Sequence, residues 1–167
     1  LYGSYMIIVV GGIKGGSGKT TIATNLAVMR SIGKKVLLVD ADEQKSAWDW
    51  SQQRDCLSVC RLLGTFATVC MSGKSIYNNL KKLEQDYDDI IVDTGGRDTS
   101  SQRSVLCIAS KFILPFKPSS IDIWTFGPIK QILNEVLCFN KDMQTFGVIS
   151  QADPVGKDNQ EAMETLP

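Results

Sequence analysis

Histidine is absent from the 167 residues. A His-ligated metal centre and a Ser/His/Asp triad are therefore both excluded. Long apolar runs are missing too: Met6 to Val10 is five residues, far short of the ~20 that a membrane-spanning helix needs. No charged segment with a cleavage site precedes that run, so a cytoplasmic protein is expected. Nor does charge of one sign prevail. Eighteen basic residues balance eighteen acidic ones, so bulk electrostatics select no nucleic-acid or membrane partner, and any such patch must be local. The five cysteines, Cys56, Cys60, Cys70, Cys107 and Cys138, are odd in number and scattered. That suits reduced thiols packed as small apolar residues, without the paired spacing of an iron–sulfur site.

What remains is a balanced globular composition, 43% hydrophobic and 22% charged, at a length that builds one core without disulfide help. Leu1 to Tyr5 precede the first methionine, Met6, and read as an expression scar, so a single domain is expected over residues 6–167. Asn159 to Leu166 reads as the start of a helix cut off at Pro167, and a truncated or untraced C-terminus is the expectation there.

Short β-branched runs alternate with stretches of helical period, the pattern of an α/β fold. The expected strands are Met6 to Val10, Val36 to Asp40, Leu57 to Leu63, Ile90 to Asp93, Phe112 to Phe116 and Thr145 to Ser150. Several are apolar throughout, as strands covered on both faces are. Between them Ile22, Leu26 and Met29 recur at helical spacing, as do Ile76, Leu80 and Leu83 with Tyr87, and Phe126, Ile129, Leu133 and Val136. Gly33 stands where the first helix should stop, and Lys34 and Lys35 suit its negative end. Right-handed crossovers then give three layers, a parallel sheet with helices on both faces.

Directly after the first strand comes GGIKGGSGKTT, Gly11 to Thr21, and directly after that a helix. Glycines let successive backbone N–H groups turn inward around phosphate oxygens, and the positive end of the following helix adds to the same spot. Gly15, Gly16 and Gly18 supply this cradle, with Ser17 and Thr21 completing it. Lys19 would set its ammonium against the β- and γ-phosphates, and the Thr20 hydroxyl would ligate Mg²⁺. Acids at the carboxyl ends of neighbouring parallel strands converge beside such a loop, which makes Asp40, Asp42 and Asp93 the candidates for the metal site.

The strict pattern GxxxxGK[ST] fails because its first glycine falls on Ile13; what fits is KGGxGK[ST], with Lys14 five residues ahead of Lys19. This loop resembles the deviant Walker A loop of the ParA/MinD family of P-loop ATPases. VLLVDADEQ, Val36 to Gln44, is similar to that family's VLLxDxDPQ, and IIVDTGG, Ile90 to Gly96, to its Walker B strand. TTIATNLA, DTGGRDTSSQRS and the IDIW and QADPxGxDN stretches resemble plasmid and conjugative-element ParA-type proteins. The resemblance implies a P-loop NTPase fold that binds ATP and Mg²⁺. It further implies that Lys14 reaches across a two-fold axis to the nucleotide of the other subunit of an ATP-dependent homodimer. Asp93 would hold Mg²⁺ through a water, Asp40 would support the same hydration shell, and Asp42 would position the attacking water. Gln151 and Asp153 fall where the family recognises adenine. Arg97 and Arg103 are further options for charge stabilisation. Glu43 stands where the family usually has proline.

The function so implied is slow ATP hydrolysis under the control of a ParB-like, cargo-bound partner, with the ATP dimer holding non-specific DNA during plasmid or chromosome segregation. Two alternatives stay open. One is a MinD-like positioning ATPase docked on membrane, although no amphipathic membrane helix is visible. The other is a P-loop ligase or synthetase that phosphorylates a small carboxylate.

Overall fold

The apolar runs beginning at Met6 and Val36 become strands whose side chains are buried on both faces. In the computed structural model, which describes residues 5–56, 64–96, 100–118, 126–152 and 159, strands and helices alternate. The order is β1 (Met6–Val10), α1 (Lys19–Arg30), β2 (Val36–Asp40), α2 (Ser46–Asp55), β3 (Ala67–Cys70), α3 (Ile76–Leu83), β4 (Asp89–Asp93), α4 (Ser100–Leu106), β5 (Lys111–Phe116), α5 (Phe126–Leu137) and β6 (Gln144–Ile149). All six strands are parallel, in the spatial order β3-β2-β4-β1-β5-β6. Because successive residues of a strand face opposite sides, the sheet builds two cores. Ile8, Val10, Val36, Leu38 and Ile91 meet Ala23 and Ala27 of α1 and Ala47 of α2. Ile7, Val9, Leu37, Val39, Ile90 and Val92 meet α3, α4 and α5 through Ile76, Leu80, Val105, Ile129 and Val136. The three-layer arrangement is thus the one the alternation implies.

Two expectations shift. α1 does not bury the large stripe Ile22, Leu26, Met29: its buried residues are Lys19, Ala23, Thr24 and Ala27, and Met29 is 67% exposed. Alanines let the helix approach the sheet closely, which leaves Ile22 and Leu26 packed on its flank. The strand expected over Leu57 to Leu63 lies outside the described residues; the strand that pairs with β2 is β3, at Ala67–Cys70. Leu1 to Ser4, and all of the expected final helix except Asn159, also lie outside them. Among the described residues no helix is long and apolar enough to cross a membrane, and the described cysteines Cys56, Cys70, Cys107 and Cys138 are free thiols.

At the amino-terminal end of the sheet, the Asp89 carboxylate is buried and holds two cations. Arg30 donates to both of its oxygens, at 2.7 and 3.1 Å, and Lys34 donates at 3.2 Å. Lys34, expected to serve the helix terminus, thus also anchors β4. Burial alone would raise the Asp89 pKa, but the hydrogen bonds and charges of Arg30 and Lys34 outweigh it and hold the carboxyl below the usual range. Asp89→Asn is expected to lower the unfolding free energy at pH 7 by about 1–3 kcal/mol, the worth of hydrogen bonds to a charged group. A depressed folded pKa gives stability that is present above the ordinary aspartate value of ~3.9 and is lost as pH falls through the folded value. Urea melts of wild type and variant should therefore converge in acid, and a gap that stayed constant would contradict the role assigned to this cluster.

Candidate functional site

Parallel register sets the site before any side chain is considered. Val10 lies opposite Asp93, and Asp93 opposite Asp40, so β1, β4 and β2 finish level and their following loops meet at one edge. After β1 the chain passes through a glycine loop and enters α1. Gly18, at the helix N-cap, has φ 84°, in the left-handed region that a side chain resists. No side chain caps α1, so its first-turn N–H groups point at the loop as donors for an anion. Ser17 is buried under the loop, whereas Gly15, Gly16 and Thr21 are exposed.

Lys19 is buried, and its Nζ donates to the Lys14 carbonyl at 2.7 Å, stringing the ammonium across the loop. Burial lowers its pKa, against the opposing pull of Asp93 and Asp42. The neighbouring Thr20 hydroxyl donates to Asp93 Oδ2 at 2.7 Å. Asp93 Oδ1 is buried and accepts no hydrogen bond. Burial, reinforced by Asp40 and Asp42, pushes the Asp93 pKa up to about 7 against the Thr20 hydroxyl and Lys19. A buried carboxylate oxygen without a donor is costly, and a hard cation would satisfy it. The Thr20 hydroxyl and the Asp93 carboxylate are a donor set that fits Mg²⁺, which needs only one or two protein oxygens when phosphate and water complete its shell. Among the described residues no cluster of three or more His, Cys, Asp or Glu forms a self-sufficient metal cage.

Asp40 serves the neighbouring loop and the first turn of α2. Its two oxygens accept the backbone N–H groups of Asp42, at 3.0 Å, and Trp48, at 2.9 Å. Burial still raises its pKa despite these bonds. Asp42, half-buried, accepts the Gln44 N–H at 3.1 Å and stands against Gly95, where a Cβ would lie 3.3 Å from Asp42 Oδ1. Gly96 comes closer still to the glycine loop: a Cβ there would be 2.9 Å from the Gly15 nitrogen. The segment after β4 thus packs directly on the loop. Glu43 is exposed, and half-buried Lys14 contributes its carbonyl to Lys19.

Gln151 Nε2 donates to the Gly16 carbonyl at 3.3 Å, bringing the end of β6 to the loop. Asp153 and Arg97 lie outside the described residues, and Arg103 pairs with Glu135 on α5. Sequence reasoning misses Thr94 and Gln102, which are fully enclosed beside the loop. Gln102 Oε1 accepts the Gly12 N–H at 3.3 Å and the Thr94 hydroxyl at 3.1 Å. The one signal in the sequence, an amide in a short helix, is too common to mark them.

Comparison with known proteins bears on this geometry. The chain is 28% identical over 151 residues to the Maintenance of carboxysome distribution protein A of Halothiobacillus neapolitanus, covering 88% of this chain and 67% of that protein. It spans about half to two thirds of the length of the curated relatives it matches. Among solved structures, a plasmid partition protein from Borrelia burgdorferi superposes with a TM-score of 0.78 at 19% identity, covering 96% of this chain and 84% of that one. Cobyrinic acid a,c-diamide synthase from Mycobacterium smegmatis, with bound ATP analog and magnesium, gives 0.75 at 18% identity over 97% and 79% of the two chains. At such identities the structural likenesses show a shared fold. The sequence profile of the CobQ/CobB/MinD/ParA nucleotide binding domain matches residues 8–163, and the chain belongs to that family.

Proposed function

We propose that this chain is a Mg²⁺-dependent ATPase of the ParA type, whose ATP-bound dimer positions a cargo on non-specific DNA. The observation that carries the reading is the Thr20–Asp93 pair, with its second carboxylate oxygen buried without a donor, next to a glycine loop that leads into an uncapped helix.

In this reading the phosphates lie in the loop against the backbone of Gly15, Gly16, Ser17, Gly18 and the first turn of α1, with Thr21 closing the set. Lys19 exchanges the Lys14 carbonyl for β- and γ-phosphate oxygens, an exchange its buried ammonium favours because phosphate carries full charge. Thr20 and Asp93 would hold Mg²⁺, with Asp40 fixing the adjoining loop and supporting the hydration shell. When bound, Mg²⁺ neutralises phosphate charge and orients the triphosphate. Asp42, held by the Gln44 N–H beside Gly95, orients the water that attacks the γ-phosphate. Lys14 adds its charge to the nucleotide of a second subunit, and Gln151 and Asp153 are the residues proposed to contact the base.

Support for positioning, over small-molecule synthesis, comes from the KGGxGK[ST] loop and from the curated relative named for carboxysome distribution. DNA retention and a ParB-like partner that triggers hydrolysis belong to the same reading.

Sedimentation with ATP and Mg²⁺ tests the scheme. Asp42→Ala should accumulate dimers, whereas Lys14→Ala should stay monomeric with ATP bound; a monomeric Asp42→Ala at saturating ATP counts against it. Lys19→Ala is expected to weaken ATP binding by roughly a hundredfold, the worth of strong charge-assisted hydrogen bonds. Unchanged affinity would mean the phosphates lie elsewhere. Gly96→Ala should raise KM for ATP by roughly fivefold to a hundredfold, since its methyl must displace the Gly15 backbone, a shift worth about 1–3 kcal/mol. Steady-state kinetics read that directly.

A further inference from the structure

We propose that Gln102 is a positioning residue that gives the site its preference for a nucleoside triphosphate over a diphosphate. The inference rests on the nucleotide reading above and concerns a residue outside every motif used for it.

Gln102 has no solvent exposure, and burying an amide oxygen is costly unless it is engaged. One oxygen joins three elements. Oε1 takes the N–H of Gly12, at the entry to the glycine loop, and the hydroxyl of Thr94, the residue after Asp93. The side chain itself is carried by α4. Thr94 in turn is fixed to the end of β1, its N–H donating to the Val10 carbonyl at 3.1 Å and its hydroxyl lying 3.2 Å from the same oxygen. There is no slack in the junction. A Cβ on Gly11 would stand 2.7 Å from Thr94 Oγ1, 2.9 Å from the Phe112 ring and 3.3 Å from Gln102 Oε1. The preceding residue of α4, Ser101, accepts the Gly73 N–H at 2.7 Å, so the same helical turn is also tied to the loop that follows β3.

A diphosphate is held by the glycine loop and Lys19, and Gln102 meets that loop at its entry, through the Gly12 N–H. A third phosphate must also meet the segment after Asp93, where Gly95 packs on Asp42 and Gly96 on Gly15. Gln102 fixes the height of that segment against the loop through Thr94, one and two residues away from these glycines. Losing the shared acceptor frees the two walls from one another, and the triphosphate feels it more than the diphosphate.

The experiment titrates a non-hydrolysable ATP analogue and ADP, each with Mg²⁺, into wild type, Gln102→Met, Thr94→Val and the double variant, alongside urea unfolding without nucleotide. Gln102→Met keeps the length and removes the acceptor. It should weaken binding of the ATP analogue roughly fivefold to tenfold, the scale of one or two hydrogen bonds, while ADP changes by less than about twofold on the same scale. Thr94→Val should shift the ratio the same way, and the double variant no further than the larger single effect, because both break one junction. Equal losses for both nucleotides, an unchanged ratio with lower stability, or additive shifts would each overturn the proposal. If Gln102→Met does not fold, the ratio in Thr94→Val decides alone. Wild type that binds neither nucleotide would overturn the underlying nucleotide reading, whereas wild type that binds both with an unmoved ratio in the variants would overturn only the role of Gln102.

Discussion

The alignment of strand ends is the constraint on which the rest depends. β1, β4 and β2 pair in parallel with Val10, Asp93 and Asp40 at one level. A strand's side chains alternate, so a slip of one residue in β4 would exchange its two faces and carry the Asp93 carboxylate away from Thr20. Both faces of β4 are apolar at Ile90, Ile91 and Val92, so what resists the slip is the pair of acids that bound them, Asp89 held by Arg30 and Asp93 by Thr20.

The Asp93 carboxylate sits in an environment that does not suit it as it stands. Asp93 is enclosed, next to two other acids, with one oxygen given to Thr20 and the other to nothing. Lys19 is enclosed as well, its cation resting on a carbonyl. Two opposite charges held near each other but not paired directly are an arrangement with unspent attraction. A ligand that brings both negative oxygens for the lysine and a cation for the carboxylate meets both needs at once.

Much of this was legible in the residues, and the reasons it stopped where it did are physical. The glycine loop and the glycines after β4 could be read because left-handed φ angles and close approaches demand glycine, as at Gly18 and Gly96. Strands β1, β2 and β4 could be read because burial on both faces requires unbroken apolar runs. β3 could not: it is a short strand at the sheet edge, partly exposed throughout, so ATVC carries no such run. The buried face of α1 is hidden in the sequence because large residues advertise themselves in a helical period, whereas a helix pressed close to a sheet buries alanines. Thr94 and Gln102 escaped because their meaning lies in contacts between residues that are 8 and 90 positions apart. The two oxygens of Asp40 turn out to hold backbone of the following loop and of the first turn of α2, a role that no motif distinguishes from facing a metal.

α1 is fastened to a single strand at both extremities. Thr20 in its first turn bonds Asp93, the last residue of β4, and Arg30 in its last turn bonds Asp89, the first. The spans agree, since ten helical steps cover about 15 Å and four strand steps about 13 Å. A rod bolted at both ends to the same beam can neither slide nor roll. Whatever rearrangement a bound molecule provokes must be taken up by the connecting loops, which confines the moving parts to the rim of the sheet and leaves its centre as a fixed frame of reference.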